Sequence, residues 1–331
     1  MSGQDQRHKQ LKQWLDSQFD SPILDLKLIF GDASFRRYFR FSHQGKSYIA
    51  ADAPPNKEDS RPFVAMTQAY HNAELPAPEL VHVDLELGFM CQSDLGDTHL
   101  QKRLTGETAS HWYSKALAHL PSVLAITETE LGPLPVCDNK WLQQELDLLP
   151  QWFLKTHLNW HHDGFDAYWP VLCQNLIDSA QQQPQGGMHR DYHSRNLMVV
   201  GDELAIIDYQ GAMLGPITYD PVSLLKDCYI SWPRAQVESW LEGYFTQLRK
   251  QPQFADIEFE SFLKWFDLMG LQRHLKVLGI FARLCHRDAK PHYLDDLPRV
   301  LAYVIDASAR YPETQVLAEF AKTWQAQLEP K

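Results

Sequence analysis

The sequence predicts an α+β fold of two lobes, a small strand-rich lobe over residues 1–95 and a mainly helical lobe over residues 96–331. Two observations indicate this division. Before residue 95, short apolar runs alternate with polar residues, which is the period of a half-buried strand. After about residue 105, long runs repeat apolar residues at helical spacing. The turn-forming run 93–97 separates the two patterns and is the expected hinge.

The first lobe begins with an amphipathic pattern and then changes to period two. Leu11, Trp14, Leu15 and Phe19 repeat at helical spacing. Further along, apolar residues alternate instead, and turns containing glycine or proline separate the runs. The expected order is a helix over 6–19, strands over 24–30, 35–41 and 47–51, a helix from about residue 62, and strands over 80–83 and 89–92. These strands predict a small antiparallel sheet.

The second lobe is predicted from its long helical runs. Helical periodicity covers residues 107–125, 139–158 and 165–182, and most of 219–250 and 258–311. One short β segment, over 197–208, interrupts the helices. The residues around this segment are the most informative part of the sequence.

Composition and charge bound the class of protein. Hydrophobic residues make up 44% of the chain and charged residues 22%, so a packed core is expected. The formal net charge of −11 disfavours nucleic acid and acidic membrane surfaces as partners, because binding them requires clustered lysine and arginine. No run approaches the roughly 20 apolar residues of a membrane-spanning helix. We expect neither a nucleic-acid nor a membrane partner.

The cysteines and the first residues predict a location. The five cysteines lie far apart and form no CxxC pair, which argues against a disulfide framework and a structural zinc site. This usage fits a reducing compartment. The first residues contain no apolar run, so no signal peptide is expected. We expect a cytoplasmic protein.

Residues 197–208 predict a β-hairpin with polar groups at its open end. Two apolar runs flank a tight turn. With a loop of about three residues, Val200 faces Leu204, and Asn196 then falls opposite Asp208. An amide oxygen and a carboxylate suit a magnesium ion that is also held by substrate phosphates.

Asp191 lies in the loop that leads to the same end of the hairpin, before Asn196. There it is placed to accept a proton from an incoming hydroxyl. Phosphoryl transfer needs mainly positioning and neutralisation of charge, which one carboxylate and two oxygen ligands for a metal supply. The pattern predicts a kinase that uses ATP and Mg²⁺, with Asp191 as the base and Asn196 and Asp208 as metal ligands.

The segment from His189 to Asp208 resembles the catalytic motifs of known kinases. His-Arg-Asp, four residues and Asn, followed by an Asp after an apolar strand, is similar to the catalytic and metal-binding loops of protein kinases. The run 209–211, Tyr-Gln-Gly in place of Phe-Gly, resembles the aminoglycoside phosphotransferase family, whose members act on small molecules. The resemblance implies a protein-kinase-like fold with ATP bound between the lobes.

A narrower resemblance concerns the substrate. The runs 33–39, 52–55, 145–153 and 215–220 are similar to the anomeric kinases of N-acetylmuramate and N-acetylglucosamine in cell-wall sugar recycling. This implies transfer of the γ-phosphoryl group of ATP to the anomeric hydroxyl of an N-acetylated amino sugar, with a sugar 1-phosphate as product.

The resemblance also implies roles for residues outside the metal site. Ser34, in the turn 31–35, would cover the phosphates, and the backbone of Ser93 and Leu95 would contact adenine. His193, two residues after the base, would lie near the γ-phosphate.

The remaining implied roles concern the acceptor and the support of the loop. Glu145 and Trp152 are candidates for sugar binding, since a carboxylate suits ring hydroxyls and an aromatic face suits apolar C–H groups. His189 and Asp220 would support the catalytic loop.

One departure from protein kinases concerns the phosphates. Their third strand carries a lysine that grips the α- and β-phosphates, but residues 47–52 contain none. The triphosphate still needs a cation, and Arg36 and Arg37 follow the phosphate-covering turn directly. Because adjacent strand residues point to opposite faces, one of them can face the nucleotide, and the sequence leaves open which. The alternative is that both form surface ion pairs.

Two other functions stay open at this point. One is a kinase for another small alcohol, such as an aminoglycoside, choline or homoserine. The other is a nucleotide-binding pseudokinase that acts as a scaffold, which the missing lysine permits.

Overall fold

The computed structural model describes residues 3–30 and 36–328. Contacts divide the chain into two compact units. Unit 1 consists of residues up to 99 together with 128–133 and 197–211, and unit 2 of residues 100–127, 134–196 and from 212 onward. The first boundary falls near the lobe boundary predicted at residue 95, and two later segments join the smaller unit.

Unit 1 contains a five-stranded antiparallel sheet and two helices. In chain order the elements are α1 (Gly3–Gln18), β1 (Lys27–Phe30), β2 (Arg37–His43), β3 (Lys46–Asp52), α2 (Arg61–Asn72), β4 (Leu80–Asp84) and β5 (Phe89–Ser93). Across the sheet the strands run β1-β2-β3-β5-β4. The predicted order of a helix, three strands, a helix and two strands is confirmed.

One face of this sheet packs against α1. Phe39 and Phe41 of β2 are buried in one cluster with residues of α1 and with Phe89 of β5. Because side chains alternate along a strand, Arg37 lies on this same face. The packing therefore shows that the Phe39 face of β2 is the core face.

Two short strand pairs from later in the chain also belong to unit 1. They are β6 (Glu128–Thr129) with β7 (Gly132–Pro133), and β9 (Leu197–Val200) with β10 (Glu203–Ile206). The hairpin predicted over 197–208 is confirmed by the second pair.

The predicted register of this hairpin is wrong by one residue. Val200 pairs with Glu203 rather than with Leu204, since the turn contains two residues instead of three. The inference that Asn196 lies opposite Asp208 was extrapolated from the wrong pairing, so the strand register does not support it.

Unit 2 is mainly helical. Its longer helices are α3 (Ala109–Ala125), α4 (Asn139–Leu146), a π-helix (Leu149–His157), α5 (Asp163–Gln182), α6 (Tyr219–Leu225), α7 (Arg234–Leu248), α8 (Phe259–His286), α9 (Leu297–Ser308) and α10 (Gln315–Leu328). Strand β8 (Gln185–Met188) pairs antiparallel with β11 (Met213–Pro216). Short 3-10 helices lie at Leu100–Arg103, Pro252–Phe254 and Pro291–Asp296. Within the described part of the chain, no helix has the length and apolar character needed to cross a membrane.

The single helix predicted over 139–158 is two elements in the structure. Helix α4 ends at Leu146, and the π-helix begins at Leu149. Pro150 lies in the first turn of the π-helix, and because proline has no backbone N–H it cannot continue the hydrogen bonding of α4. Glu145 therefore lies in the last turn of α4.

Helix α8 runs through the interior of unit 2 and carries buried charges. The carboxylate of Asp267 is fully buried and accepts hydrogen bonds from Lys226 at 2.7 Å and from Arg234 at 2.6 and 2.8 Å. Buried charges are tolerated where they are paired in this way. Further along the same helix, Arg273 and Lys276 are also buried, one turn apart.

Strand β8 approaches the end of α3 very closely. A Cβ atom at Gly187 would lie 2.1 Å from the carbonyl oxygen of Ile126 and 2.5 Å from that of Val123. Any side chain would collide at these distances, so glycine is required for the approach. Because β8 leads directly into residues 189–196, this contact fixes where that loop begins.

Candidate active site

The loop 189–196 after β8 is held by a buried carboxylate. The backbone N–H groups of His189 and Arg190 donate to the two carboxylate oxygens of Asp220, at 2.7 and 2.9 Å. Asp220 lies in the first turn of α6 and is buried. Burial raises its pKa, while His189 and the two amide bonds oppose that rise. The first two residues of the loop are thereby fixed to α6.

Further hydrogen bonds hold the rest of the loop. The backbone N–H of Ser194 donates to Asp227 at 3.0 Å, and its hydroxyl donates to the same carboxylate oxygen. The hydroxyl of Tyr192 donates to the carbonyl oxygen of Ala116 in α3 at 2.8 Å. The loop is a rigid support for the side chains that it presents.

Asp191 and Asn196, the predicted base and metal ligand, are joined directly. The side-chain N–H of Asn196 donates to the backbone carbonyl oxygen of Asp191 at 3.0 Å. The backbone N–H of Asp191 in turn donates to Nδ1 of His189 at 3.3 Å. Because the amide nitrogen of Asn196 makes this bond, its amide oxygen is the atom with the chemistry of a metal ligand.

The charges around Asp191 keep it ionised. Burial alone would raise its pKa, but the positive charges of Lys276 and Arg273, with a smaller contribution from Arg190, outweigh burial and hold the pKa at about 2. Asp191 is therefore a carboxylate at neutral pH. It is a weak base, which suits a reaction in which it mainly orients a hydroxyl and accepts the proton late.

Glu145, a predicted sugar ligand, is buried at the end of α4. Its Oε1 accepts a hydrogen bond from Nζ of Lys276 at 2.5 Å, and Lys276 also donates to the hydroxyl of Tyr219 at 3.1 Å. Its Oε2 is buried and has no hydrogen-bond partner among the described residues. Burial raises the pKa of Glu145, and Lys276 opposes the rise. A buried acceptor without a partner is suited to a ligand hydroxyl or amide.

The aromatic ring beside this pair is Trp141 of α4. Nζ of Lys276 lies 5.6 Å from the centroid of the Trp141 ring, and Cζ of Arg190 lies 4.7 Å from it. Trp152, the ring that the sequence predicted for sugar binding, lies in the π-helix and is partly exposed. Its role stays a prediction.

His193 presents a neutral ring. Its centroid lies 5.5 Å from that of Tyr229, with the rings nearly perpendicular. Burial lowers the pKa of His193, although Asp227 opposes this. The imidazole therefore supplies hydrogen bonding rather than charge at neutral pH. Its predicted place near the γ-phosphate stays a prediction.

In unit 1, Asp208 follows β10 with an unusual backbone. Its φ of +67° lies in the left-handed region, which few residues other than glycine adopt. Its Oδ1 accepts a hydrogen bond from Nε2 of Gln210 at 2.8 Å, and the side chain is exposed. Such backbone strain is concentrated at functional sites.

Tyr209 fixes the segment after Asp208 to helix α2. Its hydroxyl lies 2.8 Å from the hydroxyl of Thr67, and its ring stacks on Phe63 and Tyr70, with centroids 5.4 and 4.6 Å apart. The side chain is fully buried. The backbone conformation of Asp208 therefore depends on α2.

Arg37 is committed to the core of unit 1. Together with Arg7 of α1 it forms ion pairs with Asp52, whose side chain is fully buried. Its guanidinium also lies 5.4 Å from the centroid of Phe39. Arg37 thus neutralises a buried carboxylate on the core face of the sheet.

Arg36 has different surroundings. It pairs with Glu58 at 2.8 Å and lies over the ring of Phe63. It also donates to the hydroxyl of Tyr38 at 3.4 Å. Burial raises the pKa of Tyr38, Arg36 opposes the rise and Asp208 adds to it. Of the two arginines, Arg36 is the one that contacts Tyr38.

Three other predicted nucleotide contacts have different outcomes. Ser34 lies outside the described residues. Ser93, at the end of β5, donates its backbone N–H to the carbonyl oxygen of Glu79 at 2.9 Å, so a contact with adenine would use its own carbonyl oxygen. Leu95 is partly exposed in the segment that follows. These contacts stay predictions.

Sequence reasoning missed several residues of the site, namely Trp141, Arg190, Asp227, Arg273 and Lys276. For two of them a signal was present. Arg273 and Lys276 are three positions apart in an apolar part of α8, so they share one face of the helix. Two cations on a helix face that is otherwise apolar predict a buried anionic partner. For Asp227 and Trp141 the local pattern offers no such signal.

Comparison with known proteins adds independent findings. The sequence pattern described as "Phosphotransferase enzyme family" matches residues 25–263. An N-acetylmuramate/N-acetylglucosamine kinase from Pseudomonas putida is 40% identical over 337 residues, which cover 98% of this chain and 99% of that protein. A kinase of the same name from Neisseria meningitidis serogroup B is 35% identical over 317 residues, with 93% of each chain covered.

Solved structures show the same fold. A choline/ethanolamine kinase family protein from Mesorhizobium loti has a TM-score of 0.62 at 15% identity, with 99% of both chains covered. The ADP-bound aminoglycoside phosphotransferase APH(2'')-Ib has a TM-score of 0.58 at 13% identity, covering 89% of this chain and 97% of that one. The predicted kinase-like α+β fold is confirmed.

Proposed function

The chain belongs to the phosphotransferase enzyme family, and we propose that it is an ATP-dependent kinase that phosphorylates N-acetylmuramate and N-acetylglucosamine on the anomeric hydroxyl. The observation that carries the choice of acceptor is the 40% identity, over 98% of the chain, to a kinase named for these two sugars. The bonded pair Asp191 and Asn196, on a loop held by Asp220, supports the class of reaction.

Asp191 orients the acceptor hydroxyl and receives its proton. Its carboxylate is ionised at neutral pH because Lys276 and Arg273 outweigh the effect of burial. A hydroxyl that donates to this carboxylate turns its oxygen lone pairs toward the phosphoryl group. The support from Asp220 and His189 keeps the carboxylate in place through the reaction.

The proposed metal ligands are Asn196 and Asp208. An amide oxygen and an exposed carboxylate form a hard donor set, which fits Mg²⁺ better than softer metals. When bound with ATP, Mg²⁺ would neutralise charge on the β- and γ-phosphates. The hydrogen bond from Asn196 to Asp191 ties this ligand to the base.

Arg36 is the proposed replacement for the phosphate-gripping lysine that residues 47–52 lack. Its hydrogen bond to Tyr38, a group whose pKa Asp208 also raises, supports this assignment. Arginine can hold phosphate oxygens through two parallel bonds. The turn with Ser34, the backbone of Ser93 and Leu95, and His193 complete the proposed nucleotide contacts.

Glu145 is the proposed acceptor ligand of unit 2, with Trp152 as a further candidate. The unpaired Oε2 of Glu145 would accept a hydrogen bond from a sugar hydroxyl or from the acetamido N–H. Lys276 opposes the rise that burial causes in the pKa of Glu145, and a charged carboxylate would make that bond stronger.

The lobe roles predicted from the sequence are part of this proposal. Residues 1–95 would cover the nucleotide, and residues 96–331 would supply the catalytic loop and the sugar pocket. We place the reaction in the cytoplasm, where ATP is present and where the five free cysteines would stay reduced.

The deciding experiment is an assay of the purified protein with ATP and Mg²⁺ on a panel of acceptors. The panel contains N-acetylmuramate, N-acetylglucosamine, choline, homoserine and an aminoglycoside. Phosphorus NMR of the product distinguishes the position, because an anomeric phosphate couples to the C1 proton. We expect turnover of both amino sugars and a sugar 1-phosphate product.

Other outcomes have clear meanings. Turnover of choline, homoserine or the aminoglycoside alone would replace the amino sugars by another small alcohol. Coupling of phosphorus to a CH₂ group would move the reaction to another hydroxyl. Nucleotide binding without turnover of any acceptor would favour a scaffold.

A further inference from the structure

Arg190, directly before the proposed base, has a backbone conformation that disfavours any side chain. Its φ is +78°, in the region that glycine adopts without cost. The conformation is imposed by the loop, because the N–H of Arg190 donates to Asp220 at 2.9 Å. A large side chain at such a position indicates that the side chain has a role.

The surroundings of the Arg190 side chain place it beside the acceptor groups. Its Cζ lies 4.7 Å from the centroid of Trp141, and Nζ of Lys276, the partner of Glu145, lies 5.6 Å from the same centroid. Stacking on an aromatic face holds the guanidinium plane in one orientation. Arg190 thus belongs to the same cluster as the buried carboxylate Glu145.

Arg190 is also the most accessible of the arginine and lysine side chains that act on Asp191. Arg273 is 4% exposed and Lys276 9% exposed, whereas Arg190 is partly exposed. A ligand anion that approaches Asp191 would therefore meet Arg190 first.

We propose that Arg190 determines acceptor specificity by binding the carboxylate that N-acetylmuramate has and N-acetylglucosamine lacks. This inference rests on the proposed function. The two sugars differ by a lactyl ether that ends in a carboxylate, which is an anion brought close to Asp191 in a chain of net charge −11. A guanidinium compensates that charge and matches the planar carboxylate through two parallel N–H bonds.

The test compares the two sugars in the same variants. For Arg190→Gln, which keeps much of the side-chain stem, we expect the ratio of kcat/KM for N-acetylmuramate to that for N-acetylglucosamine to fall by about tenfold or more. Arg190→Lys keeps the positive charge but loses the two parallel N–H donors of the guanidinium. Its ratio of kcat/KM values should lie between those of Arg190→Gln and the original chain. Thermal unfolding followed by circular dichroism confirms that each variant is folded.

Arg195 provides a matched control in the same loop. It donates to Gln101 at 2.9 Å and lies over the ring of Tyr229, whereas Arg190 lies over the ring of Trp141. Arg195→Gln removes the same charge, and we expect its ratio to stay within about twofold of the original value.

A chemical control uses the methyl ester of N-acetylmuramate. Esterification should lower kcat/KM for the original chain, whereas Arg190→Gln should use acid and ester almost equally, because the interacting partner is already lost.

If Arg190→Gln lowers kcat/KM equally for both sugars, or for neither, the inference is wrong and Arg190 is a structural part of the loop. A chain that phosphorylates neither sugar would overturn the proposed function itself, which is a different result.

Discussion

Asn196 donates its side-chain N–H to the backbone carbonyl oxygen of Asp191 at 3.0 Å, so a proposed metal ligand and the proposed base belong to one hydrogen-bonded segment. The same segment is tied through His189 and Arg190 to Asp220. A displacement of either residue is therefore transmitted to the other. Coupling of this kind would keep the attacking hydroxyl and the metal-bound phosphates aligned in the proposed reaction.

Asp191→Asn is expected to abolish turnover and to leave nucleotide binding intact. The amide keeps the shape of the side chain and the backbone bond to Asn196, but it cannot take up a proton. Steady-state kinetics and calorimetric titration with a non-hydrolysable ATP analogue measure the two effects separately. Turnover within about tenfold of the original chain would reject Asp191 as the base.

Asp208→Ala is expected to weaken binding of the magnesium–nucleotide complex as well as turnover, because a metal ligand acts in the ground state too. Calorimetry with Mg²⁺ and the same analogue provides the measurement. Asp202, in the turn at the other end of the β9–β10 hairpin, supplies the control: Asp202→Ala also removes an acidic group but should leave affinity unchanged. Equal affinities for the two variants would place the metal elsewhere.

Arg36→Ala and Arg37→Ala are expected to fail in different ways. Loss of Arg36 should weaken nucleotide affinity by about 1.5–3 kcal/mol, the range for a charge-assisted hydrogen bond, and should also lower the free energy of unfolding, because Arg36 is buried and paired with Glu58. Loss of Arg37 leaves the buried Asp52 with Arg7 as its remaining arginine, so the free energy of unfolding should fall by roughly 2 kcal/mol while affinity changes little.

Nucleotide titration and urea unfolding of the two variants separate these effects. If affinity falls only in Arg37→Ala, the assignment of the phosphate contact to Arg36 is wrong.

Lys276→Met is expected to move the acid limb of kcat/KM to higher pH. A neighbouring cation favours the ionised carboxylate, so its removal raises the pKa of Asp191 above the present value of about 2. The original chain should lose no activity through Asp191 between about pH 5 and 8, whereas the variant should lose activity toward the acid end of that range. The pH profile of kcat/KM checks this.

Two further variants make the Lys276 test specific. The double variant Lys276→Met/Glu145→Gln removes the buried carboxylate that the single change leaves without its partner, and its acid limb should stay shifted. Lys264→Met, on the same helix, breaks an ion pair with Glu313 at 2.7 Å that is partly exposed, and its profile should match that of the original chain. If the acid limb of the kcat/KM profile is unshifted in both Lys276 variants, Lys276 does not lower the pKa of Asp191.

The parts that could be predicted from sequence are those that local pattern determines. The alternation in residues 24–51 predicts the first strands because one face of the sheet must be buried, and Phe39 and Phe41 are the residues that bury it. The hairpin register could not be predicted, because a turn of two residues and a turn of three residues fit the same sequence. A difference of one residue in the turn shifts every cross-strand pair by one position. The recruitment of Lys276 is a tertiary event, since α8 follows α4 by more than a hundred residues.

The helix break before Pro150 was in part predictable. The local signal for a helix end was present, but helical periodicity on both sides concealed it. Arg37 illustrates the same limit, since its strand position was predictable and its partner Asp52 was not. Arg36, predicted within the same strand, lies just before β2 and pairs with Glu58.

Gly187 should tolerate no substitution, although it lies outside the proposed site residues. It carries no functional group, yet the groups that would obstruct a side chain are the backbone oxygens of Ile126 and Val123, which no substitution at those two positions can shorten or remove. No substitution at Ile126 or Val123 can therefore make room for a side chain at position 187. In a library of random variants, every substitution at position 187 should abolish activity, as substitution of a catalytic residue does. The cause would be displacement of the backbone and not the loss of a functional group.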